Sequence, residues 1–315
     1  MKLFLIGNGF DLAHKMKTDY SDFRTFLCEE YSITDEMIDN IPGIPTSCIT
    51  HDGDERYNEI DEVLAIIQML DATGGCLWKN IETKLAFLNY YNFLYDYGLY
   101  SDEKEDDTYI RDTICRNECN SRELCGALYS INKYFKMWVD NIKIATVPLL
   151  DFKNLIDCNK DLFLTFNYTE TLEKLYSVIN ICHIHGSQNN EIHFGHGSDS
   201  IETKKIQKLF PGAEDSIKCL GRHLKKDTKS AYLNNLNFFR NLYSLSQSNK
   251  INIYSYGFSF SDVDKIYLEN IFRNIDTTDT VFYLNDFDFS EKRKKFSDTI
   301  YKSGFQGEIP SFHIN

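Results

Sequence analysis

Leu3-Phe4-Leu5-Ile6 is an unbroken apolar run that stops at Gly7, and it constrains the fold more than any other stretch of the chain. A run of this kind, closed by glycine, is the pattern of a strand buried on both faces of a parallel sheet. Comparable runs return only much later, at Leu162 to Phe166, Ile179 to Ile184, Ile251 to Tyr256 and Thr280 to Leu284. Helix-like stretches at 169–177, 231–245 and 263–274 separate or follow them. Strands alternating with helices predict an α/β fold, a Rossmann-like doubly wound parallel sheet.

Between Arg24 and about Lys160 the strand signal fades and helical periodicity takes over. Ile60, Val63, Leu64, Ile67 and Leu70 fall on one helical face, as do Ile81, Leu85, Leu88 and Tyr91. Asp102-Glu103-Lys104-Glu105-Asp106-Asp107 reads as a solvated polar linker. The expected organisation is a discontinuous α/β domain, 1–24 with 161–315, carrying a large helical insertion at 25–160. Charge follows the same division. The chain is −13 overall, and residues 25–160 hold 12 Lys and Arg against 25 Asp and Glu, which accounts for the whole deficit. The acidic insert disfavours polyanions and suits a basic partner or another chain, while nothing global repels a phosphate from the α/β part.

Hydrophobic residues at 42% and charged residues at 26% exclude a disordered chain. No apolar run approaches the ~20 residues that span a bilayer. The first apolar stretch ends too soon for the ~7–15-residue core of a signal peptide. Nine scattered cysteines, an odd number, suit a reducing compartment. A cytoplasmic protein with no membrane partner is expected.

Polar residues gather at the strand ends, where ligands bind in open α/β sheets. Gly7-Asn8-Gly9-Phe10-Asp11 follows the first strand, as an ordinary tight turn or a turn that lets phosphates approach the backbone. It is neither the full G-x-G-x-x-G fingerprint nor a P-loop. Thr165-Phe166-Asn167-Tyr168-Thr169 closes the second strand, with Asn167 either facing the cleft or capping a helix. His183, His185, His193 and His196 cluster next. They allow a metal site for a nuclease or phosphohydrolase, a general base, or hydrogen-bonded turn histidines. Gly257-Phe258-Ser259 with Asp264 forms a further strand end that also caps a helix. Cys115, Cys119 and Cys125 lack the paired spacing of a zinc site and read as helical thiols. Trp78 with Glu82 reads as packing plus a surface or inter-domain carboxylate.

These segments in this order resemble one family. Gly7 to Ala13 running on to Thr18-Asp19-Tyr20-Ser21-Asp22-Phe23 is similar to the opening of the AbiH proteins, which act in bacterial abortive infection against phage. Trp78-x3-Glu82, Thr165 to Thr169, His183-Ile184-His185-Gly186, Phe194-Gly195-His196-Gly197 and Gly257-Phe258-Ser259 with Asp264 continue the likeness. AbiH proteins are in turn distantly similar to sirtuin-like NAD-consuming enzymes, with Asp22-Phe23-Arg24 beside the glycine turn. The resemblance implies a sirtuin-like α/β domain that binds NAD as substrate and hydrolyses its nicotinamide–ribose bond without a metal. It implies Asn167 and His185 as catalytic residues, with Gly7, Asn8, Gly9, Asp11, Thr165, Gly257, Ser259 and Asp264 holding the nucleotide. Two departures stand out: no C-x2-C zinc module follows Asn167, and Thr169 occupies a position where an aspartate is common. Nucleotide sensing without turnover is a further alternative. A homo-oligomer and a phage-derived trigger or partner chain acting through the acidic insert are expected.

Overall fold

The computed structural model describes residues 1–78, 80–94, 107–198 and 203–314. In chain order its strands are β1 (Lys2–Ile6), β2 (Cys48–Ile49), β3 (Glu55–Arg56), β4 (Leu162–Thr165), β5 (Ile181–His183), β6 (Asn252–Tyr256), β7 (Phe282–Asn285) and β8 (Ser311–Phe312). β2 and β3 form a small antiparallel ribbon. The other six make one all-parallel sheet in the order β5-β4-β1-β6-β7-β8. Counted along the chain, this is the 3-2-1-4-5-6 order of the doubly wound fold. The architecture is Rossmann-like, as the apolar runs predict. Strand order reverses between β1 and β6, and the carboxyl ends of those strands mark the place where such sheets bind ligands.

The unbroken apolar runs are explained by burial on two faces. Leu3, Leu5, Leu162, Leu164 and Ile253 point to one core, which helices 236–246, 265–273 and 290–302 cover through Phe239, Leu242, Tyr267, Ile271, Phe296 and Ile300. Phe4, Ile6 and Phe163 point to the other, under Phe10, Phe152, Leu172 and Tyr176. Phe4 stacks on Phe163 with ring centroids 4.9 Å apart and meets Phe152 edge-on at 5.6 Å. Each such side chain contributes roughly 1.5–3 kcal/mol by leaving water.

The chain divides into two compact units, and the division differs from the single insertion expected at 25–160. The sheet unit comprises 1–19, 139–193 and 227–315; the helical unit comprises 20–138 and 194–226. Aromatic packing gives the reason. Phe23 lies 5.4 Å from each of Trp78, Phe135 and Trp138, and Phe194 stacks on Phe135 at 3.7 Å, all within the helical unit. Phe152 instead packs beneath β1, so the segment around it belongs with the sheet. On these bounds the helical unit holds 17 basic against 27 acidic residues and the sheet unit 17 against 20. The acidic excess is therefore concentrated in the helical unit but not confined to it.

Other elements depart locally from the sequence reading. The helix expected over 231–245 is two, Thr228–Asn234 and Leu236–Ser246, joined at Asn235. The second apolar face in the insert is broken into Ile81–Lys84, a 3-10 turn at Leu85–Phe87 and Tyr91–Leu94. The acidic run 102–106 lies outside the described residues, and Asp107 opens the helix Asp107–Leu128. Among the described residues no helix is long and apolar enough to cross a membrane.

Candidate functional site

The ends of β1 and β6 meet through glycines. Gly7 N–H donates to the Tyr256 carbonyl at 3.0 Å, and Gly9 N–H donates to the Gly257 carbonyl at 3.1 Å. A Cβ on Gly7 would lie 2.6 Å from the Gly257 oxygen and the Phe258 Cα, and one on Gly9 would lie 2.7 Å from the Gly257 Cα. Gly257 itself has φ +66°, and a Cβ there would approach Phe10 N to 2.4 Å. The glycines are required by this backbone seam at the order reversal. The Cβ side of Gly7 and Gly9, expected to give room to a pyrophosphate, faces the β6 end. The helix that follows, Asn8–Ala13, has six residues, and Asn8 Nδ2 donates to the Thr18 carbonyl at 2.7 Å.

Asn167 lies just beyond the end of β4. Its N–H donates to Thr165 Oγ1 at 3.1 Å, and its Nδ2 donates across to the Gly7 carbonyl at 3.1 Å. That pair of bonds fixes the amide, whose Oδ1 is buried without a hydrogen-bond partner. Beside it stands Asp11, 1% exposed, with Oδ2 accepting from Thr169 Oγ1 at 2.5 Å. Thr171 Oγ1 donates to Thr169 Oγ1 at 3.0 Å, completing a hydroxyl relay. Burial pushes the Asp11 carboxyl up to about 6, opposed by the surrounding Thr169, Thr171, Asn167 and His183, which favour the carboxylate. Asp11 Oδ1 is also buried without a partner. Buried acceptors left without a donor are costly and uncommon, and they concentrate where structure serves function. Thr169 thus stands where the resemblance leads one to look for an aspartate, and its hydroxyl holds a carboxyl supplied by Asp11.

His185 follows β5 and is 2% exposed. Its Nε2 lies 3.2 Å from Asp264 Oδ1, brought in by the turn after β6. The ring is flanked by Phe166 at 5.6 Å, Tyr267 at 5.5 Å and Tyr168 at 6.4 Å between centroids. Phe166 stacks in turn on Phe258 at 4.0 Å, so the β4 and β6 ends lock together behind the imidazole. Gly186, at φ +83°, turns the chain back so that His193 N–H donates to the His185 carbonyl at 2.8 Å. Asp264 therefore faces a histidine, whereas Ser259, the other polar residue expected on this turn, is exposed.

The four clustered histidines have separate environments. His183 sits between Glu173 Oε1, 2.7 Å from its Nε2, and the Asn167 carbonyl, 3.2 Å from its Nδ1. His196 belongs to the helical unit, where its Nδ1 accepts from Ser198 N–H and its Nε2 donates to the Gly221 carbonyl at 2.8 Å. Burial pushes the His196 pKa down. Among the described residues no three His, Cys, Asp or Glu side chains form a group that could hold a metal ion.

Other expected residues serve the helical unit. Arg24 grips Asp71 with Nε at 3.0 Å and Nη2 at 2.8 Å, and the buried Trp78 donates its Nε1 to the same carboxylate at 2.7 Å. Glu82 pairs at 3.0 Å with Lys226, whose side chain is 1% exposed. Cys125 is buried, its thiol pushed up to about 12 by burial, while Cys115 and Cys119 are exposed. Glu173 and Lys226 carry no sequence signal that links them to His183 or Glu82. Only the fold brings those partners together.

No curated protein and no solved structure matches the chain. A family model, described as Bacteriophage abortive infection AbiH, matches residues 3–286, nearly the whole length. The chain belongs to the AbiH family of bacteriophage abortive infection proteins.

Proposed function

We propose that this abortive-infection protein hydrolyses the nicotinamide–ribose bond of NAD at the carboxyl edge of its sheet. The observation that carries the reading is the convergence of two devices on one edge. Asn167 presents a fixed, unpartnered acceptor, and His185 is paired with Asp264 at 3.2 Å. Breaking this bond develops positive charge on the ribose and releases neutral nicotinamide, so the protein's task is to hold the sugar and accept one proton from the attacking water. The Asn167 Oδ1 accepts a ribose hydroxyl. Asp264 Oδ1, 3.2 Å from His185 Nε2 but not aligned for a hydrogen bond, holds negative charge beside the imidazole that accepts the proton. Asp11 lies beside Asn167 and adds negative charge where positive charge grows. Tyr168, anchored by its hydroxyl on the His193 carbonyl at 3.1 Å, is the cover that shifts to admit the sugar to the histidine.

The proposal assigns Asp264 to orienting His185 instead of binding a nucleotide hydroxyl, and leaves the exposed Ser259 as the side chain on that turn for such a contact. Purified protein incubated with NAD, with nicotinamide release followed chromatographically, tests the reading. His185→Ala is expected to lower the rate about 10²–10⁴-fold. Equal nicotinamide release by the wild type, His185→Ala and Asn167→Ala would refute the assignment. Tight binding of ADP-ribose without any release would identify a sensing site instead.

A further inference from the structure

Asn167 lies past the point where the sheet holds the chain. β4 ends at Thr165, whose carbonyl accepts from Ile184 N–H at 3.1 Å, and Phe166 N–H donates to the Ile6 carbonyl at 2.8 Å. Beyond these ladder bonds, side chains take up the main-chain groups of Asn167. Its N–H donates to Thr165 Oγ1 at 3.1 Å, and its carbonyl lies 3.2 Å from His183 Nδ1. A carbonyl can only accept, so Nδ1 supplies the proton of that bond. The other ring nitrogen, Nε2, is 2.7 Å from Glu173 Oε1. A bare lone pair would repel a carboxylate at that distance, so this contact holds a proton as well. Turning the ring over would put carbons in place of both nitrogens, which fixes the imidazole in one orientation.

The fold explains the reach of each partner. In β5, Cys182 joins the core on one face of the sheet, so the adjacent His183 points to the other. There the helix Thr171–Tyr176 packs through Leu172 and Tyr176, and it carries Glu173. The same helix opens with Thr171, whose hydroxyl feeds the relay to Asp11. His185, by contrast, stands against Phe166 and Tyr267 of the opposite core. Two histidines two residues apart therefore back the site from different faces.

We infer that His183 and Glu173 are positioning residues that clamp the Asn167 main chain so that its side-chain oxygen meets a ribose hydroxyl. The amide nitrogen Nδ2 is already spent on the Gly7 carbonyl at 3.1 Å, which leaves Oδ1 for the sugar. Neither residue touches the substrate; both act through Asn167. The inference rests on the NAD reading of this edge and deepens it.

Calorimetric titration with ADP-ribose tests the clamp, because that probe carries the ribose and needs no turnover. The amide nitrogen of Asn stands in for imidazole Nδ1, and that of Gln for Nε2. His183→Gln keeps the Glu173 contact and drops the clamp, so it should weaken binding about 10–100-fold. His183→Asn restores a donor for the carbonyl and is expected to recover most of that loss. Asn167→Ala combined with His183→Gln should bind no more weakly than Asn167→Ala alone, because both changes act on one contact. Wild-type affinity in His183→Gln overturns the inference, as do equal losses in His183→Gln and His183→Asn. Additive losses in the double variant overturn it too. If His183→Gln fails to fold, Glu173→Ala, at a partly exposed carboxylate, decides through the same cycle with Asn167→Ala. A wild type that neither binds ADP-ribose nor releases nicotinamide from NAD removes the NAD reading itself, and the clamp with it.

Discussion

His185 Nε2 and Asp264 Oδ1 lie 3.2 Å apart, on side chains carried by the ends of two strands that do not neighbour each other in the sheet. Each is almost fully buried, so the carboxylate acts on the imidazole in a medium where charge is weakly screened, although the two atoms are not aligned for a hydrogen bond. Asp264→Asn should keep the fold and lower kcat about 10–100-fold, with KM little changed, as loss of an orienting partner does. Steady-state kinetics of the purified variant would show it. A rise in KM at constant kcat would instead mark Asp264 as a binding residue.

Asp11 gives the protein a distinctive pH dependence. Its folded-state pKa, about 6, lies above the ordinary 3.8, so the folded state holds the proton more tightly than the unfolded state. Its contribution is most favourable below about pH 4 and is lost as pH rises through about 6, by on the order of 3 kcal/mol. Asp11→Asn removes that dependence and keeps an acceptor for Thr169. Urea midpoints of the two proteins should converge near pH 4, with the variant the more stable at pH 7 and above. Parallel curves would show that the carboxyl is not perturbed.

The glycine seam predicts steric sensitivity with no chemistry involved. Gly257→Ala forces a Cβ against Phe10 N at 2.4 Å and strains a φ of +66°. A loss of roughly 2–5 kcal/mol is expected. Ser259→Ala, on the same turn but exposed, should stay within about 0.5 kcal/mol of wild type. Thermal melts would separate them, and an activity loss in Ser259→Ala alone would report a ligand contact.

In the helical unit, Lys226 is buried against Glu82. Glu82→Ala leaves the ammonium buried without its counter-charge and should cost about 3–5 kcal/mol. Replacing both residues with apolar ones, Glu82→Leu with Lys226→Met, should restore most of that stability. A double variant no better than the single would show that the pair makes other contacts in that core.

The strands were legible because burial on two faces writes itself as an unbroken apolar run, as at Leu3 to Ile6 and Leu162 to Thr165. β8, two residues long at Ser311–Phe312, is too short to carry such a signature. The unit boundary was less legible for a different reason. Nothing local to Phe23 or Phe194 says that both pack with Phe135. At the site, strand-end position drew attention to Asn167, His185 and Asp264. It gave no means of telling that Asp264 meets His185, or that His196 belongs to the other unit. Pairings across the fold depend on topology, which local sequence does not encode.

NAD hydrolysis should be visible inside infected cells, where any trigger is present. NAD should be quantified through a phage infection in cells carrying the wild type, Asn167→Ala or His185→Ala. NAD is expected to fall and nicotinamide and ADP-ribose to rise with the wild type alone, together with loss of phage yield. Phage defence that persists with an unchanged NAD pool would contradict it.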